Sequence, residues 1–392
     1  MTHAAAFEDF SLVKGGPTYR LMCRLGLISG DSYVRMALVF VLLTWVTLFF
    51  LCFWQGVLSG DSVRISFLHD FAAHARFLVA LPLLIVADRV IDARGRTVAR
   101  HFVQSNLVAA DDLPRFESAV GEVRKWRDAI LPEAAILLLV IVHGWFAVSK
   151  HGWVATNISS WYAEAGPEGG RLTLAGWWLE VGLSLFSFFL YRWFWRVLLW
   201  GRFLWRVSQL NLQLIPTHPD RAGGLAFVSG VQVYFGFFMF AVSAATAGIC
   251  ANMISFQGET LVSLKWLIVT YLVILTGLPM VPMLLLVPRL YRLKKKGLLD
   301  YGALAAKYTQ SFDTRWVKGN AAEAEALLGS ADIQSLADLG NSFEMVRKMR
   351  IIPIGLRTTL NLLASAAGPF APLLLTMFPL EELLKQAVRL LF

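Results

Sequence analysis

Long uncharged runs alternate along this chain with basic, polar stretches, and that alternation predicts its elements. Residues 36–60 carry no charge over 25 positions, where about 20 apolar residues suffice for a helix to cross a bilayer. Residues 67–87, FLHDFAAHARFLVALPLLIVA, match that length but hold His69, Asp70, His74 and Arg76. A third crossing is predicted at 129–149, interrupted by Glu133 and His143, and a fourth at 172–191, containing Glu180. Residues 222–258 are uncharged over 37 positions and hold a fifth, roughly 227–254. The sixth, 266–288, carries Gly277, Pro279 and Pro282, which predict a kink or a broken helix. Residues 358–380 are again uncharged but interrupted by Gly368-Pro369 and Pro372. They read as a seventh crossing, with a re-entrant hairpin as the alternative.

The polar stretches fall between these runs. Residues 1–35 form a basic arm, with a short interfacial helix or an ordinary lead-in at 19–28. In 88–128, Asp111-Asp112-Leu113-Pro114 reads as a helix start, followed by a helix over 115–127. A basic connector spans 201–221. Residues 289–352 hold two or three helices, one at 330–349 with Ile333, Leu336, Leu339, Phe343 and Val346 at helical spacing. Residues 381–392 form an amphipathic helix. The fold class is therefore all-α: a polytopic helical membrane protein with six to seven transmembrane helices (36–87, 129–200, 222–288 and part of 353–392) and cytoplasmic helical insertions.

Composition agrees. The chain is 57% hydrophobic and 16% charged, against about 25% charged for an average soluble domain. Its formal charge of +9 does not point to nucleic acid, because the basic residues flank apolar runs. Anionic lipid headgroups are the partners that fit them, and 289–352 offers a surface for a protein partner. Basic residues concentrate in 1–35, 88–127, 192–221 and 289–350, which places those segments and the N-terminus in the cytoplasm. With no apolar run before residue 36, no cleavable signal peptide is expected. Cys23, Cys52 and Cys250 lie far apart and form neither a disulfide framework nor a metal site.

Candidate chemistry sits inside the apolar runs. The eleven Leu, Ile, Phe and Val of 67–87 favour insertion by roughly 3–6 kcal/mol, while one central Arg opposes it by about 2.5–3.5. Arg76 therefore needs a partner or water. It lies twelve residues before Asp88, and Glu180 lies twelve before Arg192. Both then sit roughly 18 Å above the cytoplasmic boundary. His74 and His143 fall at roughly 21–22 Å. Arg76, Glu180, His74 and His143 thus form a buried charged layer, either a conduit or sensor for a proton or ion, or structural glue between helices. A metal held by His69, His74, His143 and His151 with Glu180 is weaker, because no His-x3-His spacing is present. No metal or other cofactor is expected.

Before the fifth crossing stands Pro216-Thr217-His218-Pro219-Asp220-Arg221-Ala222-Gly223-Gly224. A glycine-rich turn opening a helix can cradle an anion, so His218, Asp220, Arg221, Gly223 and Gly224 are a possible anion-binding turn. The plain alternative is a turn leading into the helix at the interface. No Lys-Ser/Thr follows, which excludes a P-loop. Together with Ala331-Asp332-Ile333-Gln334-Ser335-Leu336-Ala337-Asp338-Leu339-Gly340-Asn341-Ser342-Phe343-Glu344, this motif resembles a group of uncharacterised bacterial polytopic inner-membrane proteins. That resemblance implies a bacterial inner membrane and assigns no activity.

No HExxH, GxSxG, nucleotide fingerprint or zinc ribbon is present, and no catalytic residue is named. Three functions fit. The first is passage or sensing of a small ion or solute through the charged layer. The second is a scaffold or signalling protein acting through its cytoplasmic helices. The third is a membrane enzyme on a lipid-linked substrate, holding phosphate with Arg192, Arg196, Arg202, Arg206 and His218-Pro-Asp220.

Overall fold

The apolar runs become helices in the order the pattern predicts. The structure, a computed structural model, describes residues 10–28, 33–149, 159–164, 171–318 and 331–377. It is 79% helix. The helices are α1 (Gly16–Arg24), α2 (Val34–Trp54), α3 (Phe71–Gln104), α4 (Leu113–Asp128), α5 (Ile130–Ser149), α6 (Leu174–Ser208), α7 (Ser229–Gln257), α8 (Leu261–Val317), α9 (Ala331–Arg347) and α10 (Leu356–Thr376). Two short strands, β1 (Ala163–Glu164) and β2 (Arg171–Leu172), pair antiparallel. Six of the helices, α2, α3, α6, α7, α8 and α10, are long and apolar enough to cross a membrane. The pair α4–α5, bent by 42°, adds a seventh if it counts as one span. The 381–392 helix and His151 lie outside the described residues.

α3 organises the bundle. Asp70 caps its N-terminus by accepting from the Ala73 amide at 3.0 Å, which satisfies one of the first-turn donors. Pro82 lacks the amide that would reach the Leu78 carbonyl. The turn just before it, Ala75–Ala80, is widened to π geometry, a form found mostly as single turns at functional sites. Downstream the helix does not stop at Asp88, where the apolar run ends. Leu84, Ile85, Asp88, Ile91, Asp92, Gly95, Val98, Ala99 and Phe102 are all buried, a three-and-four spacing that keeps one face in the core through Gln104.

α7 packs against α3 and α10, and α6 against α4, α5 and the proline turn of α8. Small residues permit the close approaches. A Cβ on Gly248 of α7 would lie 2.8 Å from the Phe71 carbonyl oxygen. Trp193 of α6 is fully buried. Its indole donates to the Leu84 carbonyl at 2.8 Å and stacks on Phe238 of α7 at 5.5 Å, so one ring joins three helices.

Two expectations change. The prolines of the sixth crossing do not break it. Leu278–Leu286 tightens to 3-10 geometry, where residues three apart eclipse, so Pro279 and Pro282 share one edge and α8 runs on to Val317. α10 does the same at Gly368–Thr376, so Leu356–Thr376 is one continuous helix. The N-terminal arm is also no free lead-in. Phe10, Leu12 and Val13 are buried, with Phe10 4.8 Å from Phe203.

Candidate functional site

Three helices build a cavity of about 190 Å³ whose mostly apolar wall carries a few charged and polar groups. α3 brings Arg76 on its widened turn, α5 brings His143 and Gly144, and α6 brings Glu180, Ser184, Ser187 and Tyr191. Arg76 is 7% exposed, and its guanidinium carbon lies 5.9 Å from the centre of the Phe186 ring. Glu180 and Asp70 are the carboxylates whose fields act on it. Yet among the described residues neither Arg76 nor Glu180 makes an ion pair or a side-chain hydrogen bond. His143 pairs through Nδ1 with the Tyr191 hydroxyl at 3.2 Å. The cavity thus holds a buried cation and a half-buried carboxylate that act on one another across a gap rather than through a direct ion pair.

The cavity has a neighbour. An apolar groove of about 630 Å³ runs between α1, α2, α5 and α6. Val140, Gly144, Glu180 and Ser184 line both spaces. At Gly144 a Cβ would meet only Ser184 Oγ, at 3.7 Å, so the junction is open.

His74 does not join the cavity. Trp45 Nε1 donates to its Nδ1 at 2.8 Å, and its Nε2 lies 3.2 Å from the Leu68 carbonyl oxygen. An indole nitrogen can only donate, so Nδ1 accepts and Nε2 carries the proton. The ring sits edge-on to Phe67 at 5.3 Å. His74 faces α2 and the Leu68 carbonyl, because the two residues from 74 to 76 turn a helix by about half a revolution. His69 is also separate, bonded to Ser66 Oγ at 2.8 Å. Among the described residues no three His, Cys, Asp or Glu side chains gather to hold a metal ion.

Asp70, given no role by the pattern, is a buried hub. Besides capping α3 it accepts from Trp161 Nε1 at 2.9 Å and from Asn252 Nδ2 at 2.7 Å. It ties α3 to Trp161, ahead of β1, and to α7. A polar residue just before a helical run was the available signal.

A larger ionic network lies towards the opposite end of α3. Arg196 binds both carboxylate oxygens of Asp88, and each residue is 2% exposed. Arg192 lies 3.9 Å from Glu133, which accepts from both the amide and the hydroxyl of Thr18 at 2.7 Å. Asp92 accepts from Ser11 Oγ and from Arg96, and Arg127 donates to the Ser11 carbonyl at 3.0 Å. Arg202 and Arg206 both clasp Glu122. Each arginine expected to hold a substrate phosphate thus faces a carboxylate of the chain itself, Arg192 at 3.9 Å from Glu133, while Arg202 and Arg206 remain partly exposed.

The glycine-rich turn is occupied in the same way. Asp220 accepts from the amides of Ala222 at 2.8 Å, Gly224 at 3.1 Å and Ala226 at 2.9 Å, and His218 Nδ1 lies 2.8 Å from it. Partial burial disfavours its charge, but these donors outweigh that and hold its carboxyl below the usual range. The donors an external anion would need are taken. The positive φ of Arg221, Gly223 and Gly224 serves this internal wrap. Arg350 locks it by donating to the Asp220 carbonyl at 2.9 Å.

Comparison with protein-family models, with curated proteins and with solved structures finds no match to this chain, so the arrangement rests on its own geometry.

Proposed function

We propose that the chain is a multi-pass membrane protein that passes or senses a small charged solute at the Arg76 cavity. One observation carries this: a buried arginine and a carboxylate line one small cavity between helices of crossing length and leave each other unpaired. Ionisable groups at membrane depth mark solute pathways or binding sites when they face a cavity. His143 and Tyr191 add a hydrogen-bonded pair at the wall. The basic segments favour a cytoplasmic N-terminus and contact with anionic headgroups. The resemblance noted above favours a bacterial inner membrane.

The test is flux of H+, Na+, K+ and Cl− into proteoliposomes, with and without a pH gradient. Passage that disappears in Arg76→Gln supports the reading. No flux of any of these ions, in protein shown to be folded, overturns its transport form.

A second reading, binding of a protein partner, has one observation in its favour. The C-terminal half of α8 pairs with α9, with Gly302 against Phe343 and Trp316 donating to Asp332 at 2.9 Å. Leu299, Leu304, Val317 and Ile333 of this pair stay exposed. Capture of a partner that depends on Leu299 and Leu304 tests it.

A further inference from the structure

The cavity and the groove describe a single ligand. The cavity offers one cation and one anion, Arg76 and Glu180, each without an ion-pair partner among the described residues. A simple anion satisfies Arg76 and leaves Glu180 repelled, and a simple cation does the reverse. A zwitterion satisfies both. The groove that shares Glu180 and Ser184 with the cavity is apolar along its length, lined by residues such as Leu21, Phe40, Leu137, Ile141 and Phe188. At about 630 Å³ it lies within the usual 300–1,000 Å³ of ligand sites. An occupant of both spaces has an apolar tail and a head bearing both charges.

We propose that the site binds a phospholipid with a phosphoethanolamine head, its phosphate on Arg76, its ammonium on Glu180 and an acyl chain in the groove. A guanidinium matches phosphate oxygens with paired N–H donors. A primary ammonium donates hydrogen bonds to a carboxylate, which a quaternary ammonium cannot do. Ser184 and Ser187 stand on α6 beside the head. Gly144 is the doorway, because it lines both spaces and a side chain there would meet only Ser184 Oγ, at 3.7 Å from its Cβ. The inference rests on the Arg76 cavity being a ligand site and names the ligand class.

Native mass spectrometry of the full chain, released from nanodiscs holding equal phosphatidylethanolamine, phosphatidylcholine and phosphatidylglycerol, tests it. The expected result is one retained phosphatidylethanolamine, favoured about tenfold over the other two. Glu180→Gln should shift that preference to phosphatidylglycerol. Gly144→Leu, whose Cβ meets nothing closer than 3.7 Å, should lower retention about tenfold, and Arg76→Gln should do the same. Lipid retained in bulk proportion, or retention indifferent to all three substitutions, overturns the proposal. Flux separates the two readings. Arg76-dependent ion flux without lipid selection leaves the small-solute reading standing and removes this one. Phosphatidylethanolamine selection without flux supports the lipid as occupant and removes the transport form. Neither flux nor selection removes both.

Discussion

Arg196 grips Asp88 through both guanidinium nitrogens, and the two side chains are 2% exposed in the middle of the helix bundle. Each is the other's compensation, so removing one strands a buried charge. Asp88→Ala or Arg196→Ala should destabilise the fold by about 3–5 kcal/mol. The double replacement Asp88→Leu with Arg196→Met should cost much less than the two singles together. Thermal unfolding in detergent, run as a double-mutant cycle, reads both quantities.

The Asp220 wrap predicts a pH signature. Its carboxyl is held below the usual range, so the stability it adds is present above about pH 4 and lost as pH falls through the lower folded-state value. Asp220→Asn should cost about 1–3 kcal/mol at neutral pH. The melting-temperature gap between wild type and variant should stay constant near neutrality and close in acid. A gap that widens in acid would contradict the geometry.

Glycines at two contacts should behave oppositely. A Cβ on Gly176 would lie 2.0 Å from the Tyr162 carbonyl oxygen, whereas one on Gly144 meets nothing closer than 3.7 Å. Gly176→Ala should destabilise by about 1–3 kcal/mol or more. Gly144→Ala should be neutral or stabilising by up to about 1 kcal/mol through helix propensity. Chemical or thermal melts of the two proteins make the comparison.

Donation from Trp45 fixes the His74 ring as the Nε2–H form. Nitrogen-15 NMR of histidine-labelled protein should show that tautomer, and Trp45→Phe should release the ring to a mixture. A ring already mixed in the wild type would break the assignment.

Much of this was legible in the chain, and the failures share a cause. Every predicted crossing corresponds to a helix, because runs of uncharged residues report length directly. The twelve-residue offsets place Arg76 and Glu180 at one level, and the two side chains line one cavity. His74 failed because level says nothing about facing, and a shift of two residues rotates a side chain out of the site. Asp88 and Arg192 mark the cytoplasmic boundary in the depth arithmetic, but they lie on the buried stripes of α3 and α6, as does Arg196. The spacing of Leu84, Ile85, Asp88 and Ile91 held that information. The turn at 218–224 was read as open to an anion because sequence does not show that its own Asp220 reaches back to the same amides.

The continuity of α8 has a mechanical consequence. Its 57 residues span about 85 Å, nearly three times the hydrocarbon thickness of about 30 Å. The proline turn at Leu278–Leu286 is the fulcrum of that rod. From there to Val317 is roughly 46 Å, so a tilt of about 10° swings the far end by about 8 Å. α6 rests against this fulcrum, with Gly201 beside Pro282, and the same helix carries Glu180 at its other end.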